Sequence, residues 1–442
     1  MHTQNLIIGF GKAGKTLAAD LAKHGQQVVL VEQSAQMYGG TCINIGCIPS
    51  KKLIVESEQR GHNADKAAVF AAAMNAKNTL IPKLRAANFA KLDNLDGVTV
   101  LNARAEFLDD RTVKLTDPDG GEQTLTAERI FINTGATPRR LGVAGEDSPR
   151  VLDSTGVLAL NERPRRLVII GLEFAFMFHA FGSEITILDG GDRFLPREDR
   201  DIAEEMLRVL NSKGIKVLQG VKIEAFRDNT ADTSVITSQG EFTADAVLVG
   251  VGRVPNTQGL GLTNAGIKTD QRGFILVDDH LRVQGKNHIW AMGDVAGSPM
   301  FTYISLDDYR IVREQLFGDG KRNRADRTPF PTATFTEPPL AHIGLTETAA
   351  QQSGREVKVL KLKADAISKA KILNQTDGLL KAVVDAHSGE ILGVTLFCAE
   401  AHEIINLFKM AIDHRIPATY IKNQIFTHPT IAEGLNDLFA GC

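Results

Sequence analysis

Two cysteines with four residues between them are the first feature of the sequence that suggests chemistry. The stretch 39-GGTCINIGCIPSK-51 carries Cys42 and Cys47, and the chain of 442 residues has only four cysteines. Such a pair serves as a metal clip, a structural disulfide or a reversibly oxidised dithiol. A structural zinc site usually takes four ligands at closer spacings such as C-x2-C, and the sequence has no second cluster of that kind. We therefore predict no bound metal.

The spacing of the pair favours a redox role over a structural disulfide. Structural disulfides are typical of small secreted domains, whereas this chain is long, 43% hydrophobic and without a stretch of the secretory-leader kind. In one regular helix the Cα atoms of Cys42 and Cys47 would lie about 8–9 Å apart, and a disulfide needs about 4.4–6.8 Å. The segment must therefore bend or begin outside the helix, which the preceding glycines allow. A bond held in such a turn is easily reduced.

Composition narrows the class of protein. The length predicts about two to four domains. The formal net charge is −3 with 23% charged residues, which favours neither a nucleic acid nor an anionic membrane surface as partner. Apolar runs stay shorter than the ~18 residues that span a bilayer. We expect a cytoplasmic protein with no membrane partner.

A complete βαβ nucleotide-binding pattern lies near the start of the chain. Residues 5–14, NLIIGFGKAG, read as an apolar strand followed by Gly9, Gly11 and Gly14 in a G-x-G-x-x-G pattern. A helical stretch and a second strand follow, and that strand ends on Glu32, 23 residues after Gly9. Such glycines let the backbone approach a pyrophosphate at a helix N-terminus, and the acid accepts ribose hydroxyls.

Further glycine-ended strands follow. RIFINTGATP (129–138) leaves its strand near Gly135, and RRLVIIG (165–171) starts a second strand–helix–strand unit that ends on Asp189. Two such units predict two dinucleotides. DAVLVGVGRVPN (245–256) and IWAMGDVAG (289–297) also leave apolar strands through glycine. From residue 332 onward, a hairpin around His387-Ser388-Gly389 and an amphipathic helix predict an α+β domain.

Taken together, these motifs resemble those of the pyridine nucleotide–disulfide oxidoreductases, flavoproteins that include glutathione reductase, dihydrolipoamide dehydrogenase and mercuric reductase. The match covers GFGKAG, GGTCINIGCIPSK, TGATP, VGRVPN, GDV and HPTIAE. Within the family, FTYISLDDYRIVR (301–313) and NQIFTHP are most similar to the reactive-chlorine-resistance flavoproteins of enteric bacteria, a branch near mercuric reductase.

The resemblance implies an α/β fold with two Rossmann-like dinucleotide-binding domains and a C-terminal α+β dimerisation domain. The implied bounds are 1–150 with 276–331 for FAD, 151–275 for NAD(P), and 332–442 for the dimer interface. The FAD contacts that it implies are Gly9, Gly11, Gly14, Glu32, Gly40, Thr41, Lys51, Gly135 and Asp294. NAD(P)H would contact Asp189, Gly252 and Arg253, and Asp189 favours NADH although Arg193 opposes this preference.

The resemblance also assigns the chemistry. Cys47 would face the flavin and Cys42 would meet the acceptor, while His428 would act on the partner subunit's disulfide in a homodimer. Glu433 lies five residues after His428 and would orient its imidazole. Pro429 suits the first turn of a helix, which would leave His428 at the mouth of that helix. The implied acceptor is a metal ion such as Cu(II) or Hg(II), in defence against oxidants.

Two departures from the family pattern stand out. VIIG runs straight into LEFAFMF between Gly171 and Leu172, where about five residues of a glycine-rich turn are expected. Either the sequence as written omits them, which the intact strand, helix and Asp189 favour, or the protein lacks this turn. The chain also ends on the single Cys442, whereas mercuric reductases carry a vicinal cysteine pair, which argues against metal delivery by a tail dithiol. Cys398 is expected to be a buried small hydrophobic residue.

Two alternatives remain at this point. A dihydrolipoamide dehydrogenase or a glutathione-reductase-like enzyme is favoured by the retained His428 and Glu433. A non-enzymatic flavin redox sensor is favoured by the missing turn, because a turn of no length offers no N–H groups to a pyrophosphate.

Overall fold

A computed structural model of the chain describes residues 1–59 and 65–442. The strands, in chain order, are β1 (His2–Ile8), β2 (Val28–Glu32), β3 (Val98–Asn102), β4 (Arg104–Phe107), β5 (Thr112–Thr116), β6 (Glu122–Ile132), β7 (Ala136–Pro138), β8 (Val151–Leu152), β9 (Arg166–Ile170), β10 (Glu184–Leu188), β11 (Lys216–Leu218), β12 (Ile223–Asp228), β13 (Thr233–Thr237), β14 (Gly240–Ala244), β15 (Ala246–Val249), β16 (Arg253–Pro255), β17 (Ile289–Ala291), β18 (Thr332–Thr334), β19 (Leu340–Gly344), β20 (Val357–Lys363), β21 (Leu379–Asp385) and β22 (Ile391–Phe397).

The helices connect these strands and are mostly short. In chain order they are α1 (Lys12–Lys23), α2 (Thr41–Asn44), α3 (Cys47–Gln59), α4 (Lys66–Asp93), α5 (Ser154–Val157), α6 (Phe174–Ala180), α7 (Arg200–Ser212), α8 (Thr302–Phe317), α9 (Glu347–Gln352), α10 (Ser368–Leu373), α11 (Ala401–Asp413), α12 (Ala418–Asn423) and α13 (Gly434–Leu438). Single 3₁₀ turns lie at Ala35–Met37, Gly293–Ala296, Arg324–Asp326 and Ala364–Ala366.

The first of two compact units comprises residues 1–141, 153–162 and 250–326. Its main sheet has the order β3-β2-β1-β6-β5-β4, with β17 paired to β6. The strands β3, β2, β1, β6 and β17 run parallel, and β5 and β4 continue the sheet antiparallel. Both faces of the parallel part are covered, and accordingly β2 (VVLVE) and the last three residues of β1 (LII) are buried apolar runs.

The first βαβ segment of this unit has the predicted form. The helix α1 buries Leu17, Ala18 and Leu21 at helical spacing against the sheet. Asn5 to Ile8 of β1 pair in parallel with Val28 to Val31 of β2. The glycine-rich turn therefore lies at the carboxyl end of β1, where open α/β sheets bind ligands.

The second unit comprises residues 142–152, 163–249 and 327–442. It contains a parallel sheet of order β11-β10-β9-β15-β8 and an antiparallel sheet of order β12-β13-β14. Its C-terminal part is an antiparallel sheet of order β18-β19-β22-β21-β20, which packs with α11 around a separate apolar core. The predicted hairpin at residues 387–389 is confirmed as the connection between β21 and β22.

The connection after β9 differs from the expectation of a turn of no length. The full sequence continues directly from Gly171 to Leu172, so the omission that we favoured is not supported. Gly171, Leu172 and Glu173 form a three-residue turn, and the helix α6 that follows has only seven residues. The chain needs these three residues to reverse direction after β9, so they form the turn and are not part of α6. Relative to the family pattern, the roughly five missing residues therefore shorten the helix α6, and the turn before it is kept.

Within residues 1–59 and 65–442, no helix combines the length and the apolar character that crossing a bilayer requires.

Candidate redox site

The two cysteines lie on either side of a break between two helices. The helix α2 ends at Asn44, Ile45 leaves the helical geometry with φ −140° and ψ 12°, and α3 begins at Cys47. The Asn44 side chain donates to the carbonyl oxygens of Tyr38 and Gly40 at 3.0 and 2.9 Å, which fixes the break against the preceding glycines. The prediction that the pair cannot lie in one regular helix is confirmed.

The two thiols form a hydrogen-bonded pair. Both cysteines are free thiols; Cys47 is exposed and Cys42 is half-buried. The hydrogen bond from Cys47 lowers the pKa of Cys42 to about 6, with help from Thr302 and the nearby charges of Lys15 and Lys12. The same hydrogen bond raises the pKa of Cys47. At neutral pH the pair is therefore one thiolate and one thiol, and Cys42 is the better nucleophile.

Two side chains around the pair were not predicted. Thr302, the first residue of α8, places its Oγ1 at 3.7 Å from the Sγ of Cys47. Lys15 on α1 donates its Nζ hydrogens to the carbonyl oxygen of Gly39 at 3.0 Å and to Asn88 Oδ1 at 2.7 Å. Burial lowers the pKa of Lys15 to about 8. Lys15 thus remains largely charged at neutral pH and stabilises the thiolate.

The low pKa of Cys42 has a direct consequence for its reactivity. In the reduced protein we expect alkylation of Cys42 by iodoacetamide to follow a titration with a midpoint near pH 6, because only the thiolate attacks. The rate falls as the pH drops through this value. Mass spectrometry of the peptide that contains Cys42 measures the rate at each pH. Alkylation of Cys442 is the internal control, since burial raises the pKa of that thiol; a midpoint above pH 8 for Cys42 would contradict the expectation.

The first glycine-rich turn is packed so closely that side chains are excluded from it. Gly9 has φ +100°, and a Cβ there would lie 2.4 Å from the carbonyl oxygen of Asn133. A Cβ on Gly14 would lie 2.8 Å from the carbonyl oxygen of Gly9, so α1 starts directly against the end of β1. Asn133 joins these parts, because its Oδ1 accepts from Gly14 N at 2.9 Å and its Nδ2 donates to Met292 O at 2.6 Å.

The predicted acid lies beside the same turn. Glu32 ends β2 and is 9% exposed. Its carboxylate accepts from Phe10 N at 3.0 Å and from Ser34 N at 3.2 Å, and burial raises its pKa. The glycine pair before Cys42 is also close, because a Cβ on Gly40 would lie 3.0 Å from the Cα of Gly11. Thr41 follows as the first residue of α2, so the cysteine segment is anchored on the nucleotide turn.

The later motifs of the first unit are brought together by a small antiparallel pairing. Arg253 to Pro255 of β16 pair with Ala136 to Pro138 of β7, directly after Gly252 and Gly135. The Arg253 guanidinium donates to the carbonyl oxygen of Ala136, and burial lowers its pKa. Burial raises the pKa of Asp294, and the positive charge of Arg253 partly offsets this shift. No heavy atom of the described residues lies within 4 Å of a Cβ placed on Gly135 or Gly252, so both leave open space.

These features fit an FAD. A tight turn of positive-φ glycine, a helix start packed on the strand and an acid at the end of the next strand are what a dinucleotide requires. Lys51 lies one turn after Cys47 on α3, on the same side of the helix. The residues that would hold the group are Gly9, Gly11, Gly14, Glu32, Gly40, Thr41, Lys51, Gly135 and Asp294.

The predicted imidazole–carboxylate pair lies in the second unit, whereas the cysteines lie in the first. His428 Nδ1 and Glu433 Oε2 are 2.7 Å apart, and this hydrogen bond lowers the pKa of Glu433. The expectation that Pro429 begins a helix is wrong, because α13 starts at Gly434. Residues 428–433 instead form a turn in which Thr430 N donates to Glu433 Oε1 and Glu433 N donates to Thr430 Oγ1. The imidazole is oriented and exposed.

Asp189 and Cys398 both belong to the second unit. Asp189 follows β10 in the second unit, and its Oδ1 accepts from Gly191 N at 3.0 Å. Cys398 is 0% exposed and has a pKa raised to about 12 by burial, so its predicted role as a buried small residue is confirmed.

Two family models match successive parts of the chain. Residues 3–308 match the family model "Pyridine nucleotide-disulphide oxidoreductase", and residues 330–439 match the dimerisation domain of that family. The Escherichia coli protein "Probable pyridine nucleotide-disulfide oxidoreductase RclA" is 44% identical over 443 residues, covering 99% of this chain and 98% of the relative.

Two further comparisons bear on the site. A mercuric reductase of Staphylococcus aureus is 32% identical and covers 97% of this chain and 80% of the relative. A solved structure described as the Cu(II) complex of the HOCl-induced flavoprotein disulfide reductase RclA from Escherichia coli superposes with a TM-score of 0.96 at 43% identity, covering 100% of this chain and 99% of that one.

Proposed function

The chain belongs to the pyridine nucleotide-disulphide oxidoreductase family, and from this premise we propose that it reduces a metal ion such as Cu(II) through the pair Cys42/Cys47. The observation that carries the proposal is the hydrogen-bonded thiol pair, in which Cys42 has a pKa of about 6 and is anchored on the glycine-rich turn. The chain is an oxidoreductase by family membership. This leaves the non-enzymatic sensor without support.

The proposed reaction balances in electrons and protons at the thiol pair. Bound FAD supplies hydride acceptance from a nicotinamide and two-electron transfer to a disulfide. The reduced pair, one thiolate and one thiol, then gives one electron to each of two Cu(II) ions. The S–S bond between Cys42 and Cys47 re-forms, one proton is released, and two Cu(I) ions leave. Thiolate is a soft ligand for copper, so the sulfurs can hold the metal ion while the electrons pass, before the S–S bond re-forms.

We assign the donor and the location by the same reasoning. Asp189 repels a 2′-phosphate, so we propose NADH rather than NADPH as the donor. We further propose that the protein works in the cytoplasm, where glutathione and thioredoxin keep thiols reduced.

The dimerisation domain supports a homodimer in which His428 serves the disulfide of the partner subunit. The Glu433 carboxylate fixes the imidazole through Nδ1 and leaves Nε2 available to take a proton. Such a base matters for thiol–disulfide exchange. It matters less for a metal ion, which a thiolate binds without a proton transfer.

The acceptor is tested by anaerobic stopped-flow with protein that has been reduced by dithionite. We expect Cu(II) to reoxidise the thiol pair faster than lipoamide or oxidised glutathione. Copper reduction no faster than by buffer with free thiols would remove the metal assignment. Faster turnover with lipoamide would favour dihydrolipoamide dehydrogenase activity, which the His428–Glu433 pair also suits.

The imidazole gives a second prediction. Replacing His428 with glutamine is expected to slow the reduction of a disulfide acceptor about 100-fold or more, since the leaving sulfur of the acceptor and the remaining thiol of the pair lose the group that gives and takes their protons. The Cu(II) rate should change less than about fivefold, because Cys42 binds the metal ion as a thiolate and the one proton that is released can pass to water. His387→Gln is the matched control, as its partner Glu356 also lies on the surface, 3.1 Å away. Equal losses for both acceptors would contradict the assigned role.

A further inference from the structure

The chain carries two strand–turn–helix units of the nucleotide-binding type, and they are built differently. In the first, β1 ends at Ile8, Gly9 to Gly11 form the turn, and α1 has 12 residues. In the second, β9 ends at Ile170, Gly171 to Glu173 form the turn, and α6 has seven residues. The turns are equal in length, and the second helix is five residues shorter.

The same difference appears between the glycines that bound each unit. Gly9 and Gly25 both have positive φ and stand 16 positions apart, whereas Gly171 and Gly182, also with positive φ, stand 11 apart. Five residues of helix correspond to about 7.5 Å along its axis. The second unit therefore lacks one continuous stretch of helix. Its flanking strands β9 and β10 still pair in parallel, as β1 and β2 do.

The residues that remain do not fit a pyrophosphate. The third residue of α1 is Gly14, which allows contact with the strand, whereas the third residue of α6 is Phe176, only 3% exposed. Glu173 stands at the start of α6 where Gly11 precedes α1. A carboxylate at that end opposes an anion, and two turns of helix offer little dipole to attract one.

We infer that the second unit holds nicotinamide donors without a grip on their pyrophosphate, so that the adenylate half of NADH adds little to binding. This inference rests on the proposed function, because it concerns the nicotinamide donor of that reaction. Charge-assisted hydrogen bonds from a glycine-rich turn to a pyrophosphate are worth on the order of 100-fold in affinity. This protein lacks that contribution.

Two donors measure the missing contribution directly. Reduced nicotinamide mononucleotide carries the reacting ring and one phosphate but has neither the pyrophosphate nor the adenosine. We expect the Kd values of NADH and of the mononucleotide, each titrated anaerobically by nicotinamide fluorescence against FAD-loaded protein that dithionite has already reduced, to differ by less than about tenfold. A ratio near 100 or above would overturn the inference, whatever the variants below do.

An insertion tests the cause. Placing Phe-Gly-Lys-Ala-Gly, a copy of residues 10–14, between Gly171 and Leu172 restores the 16-position spacing and the G-x-G-x-x-G pattern. We expect the Kd of NADH to fall on the order of 100-fold while that of the mononucleotide stays within about threefold. The matched control inserts Ala-Ala-Lys-Ala-Ala, which restores the length without the glycines and should leave both values unchanged. Equal tightening by both insertions would contradict the role of the glycines.

Failure of this inference is distinguishable from failure of the proposed function. The Kd ratio reports donor binding alone, and dithionite-reduced protein reports acceptor reduction without any nicotinamide. A ratio near 100 with rapid Cu(II) reduction would reject the inference and retain the function. A Kd ratio below ten with no metal reduction would retain the inference and reject the proposed metal reduction.

Discussion

Replacing Cys42 with serine is expected to lower the reduction of any acceptor by at least about 1,000-fold, because the nucleophile of the pair is removed. The hydroxyl of serine does not ionise near neutral pH and cannot form the S–S bond. The Cys47→Ser change should cause a loss of the same order, since the two sulfurs act as one unit. Steady-state rates with Cu(II) and with lipoamide measure both variants.

The other two cysteines provide controls for this prediction. Cys442→Ser changes a thiol that is partly exposed at the end of the chain and should leave the rate within about twofold. Cys398→Ala removes a buried sulfur and should lower stability without lowering the rate per folded molecule. Retention of more than about a tenth of the activity in Cys42→Ser would show that electrons leave the protein elsewhere.

Replacing Gly9 with alanine is expected to release the flavin and to lower the free energy of unfolding by about 2–4 kcal/mol. The φ of +100° is strained for any residue with a Cβ, and that atom would lie 2.4 Å from the carbonyl oxygen of Asn133. Backbone cannot move away as the tip of a side chain can. Bound flavin per protein and urea unfolding measure the two effects.

Gly25→Ala is the matched control for Gly9→Ala. Gly25 has φ +73°, and no heavy atom of the described residues lies within 4 Å of the added Cβ. The substitution carries only the cost of the left-handed backbone, about 1–2 kcal/mol. The variant should therefore keep its flavin. Loss of flavin in both variants would mean that the close contact with Asn133 does not shape the turn.

The nucleotide-binding core was predictable because its signals are local. The turn, the apolar helix face and the acid of the β1–α1–β2 segment are all encoded within residues 5–32, and the structure confirms these elements. The helix break between Cys42 and Cys47 followed from the distance that a disulfide spans. The fold class, which the resemblance implied, is confirmed by the family match.

The missed residues are those whose partners lie far along the chain. Thr302 is 255 positions from Cys47, and Lys15 reaches Gly39 and Asn88 over 24 and 73 positions. No periodicity in the sequence encodes such contacts. Asn133 did carry a signal, since a polar residue at the end of a buried strand needs partners.

Two errors arose from applying local rules without their surroundings. Proline favours the first turn of a helix, yet the turn at residues 428–433 is closed by hydrogen bonds between Thr430 and Glu433. The gap after Gly171 was attributed to the turn, whereas the chain preserves a three-residue turn and shortens α6. In both places the closing of a backbone turn decides where the helix starts.

The central claim is that Cys42 and Cys47 exchange electrons with a bound flavin, and a reductive titration tests it most directly. Anaerobic dithionite is added to the oxidised protein while the flavin absorbance is followed. We predict an uptake of about four electrons per flavin, two for the flavin and two for the disulfide, and about two in Cys42→Ser. An uptake of only about two electrons by the unmodified protein would contradict the account.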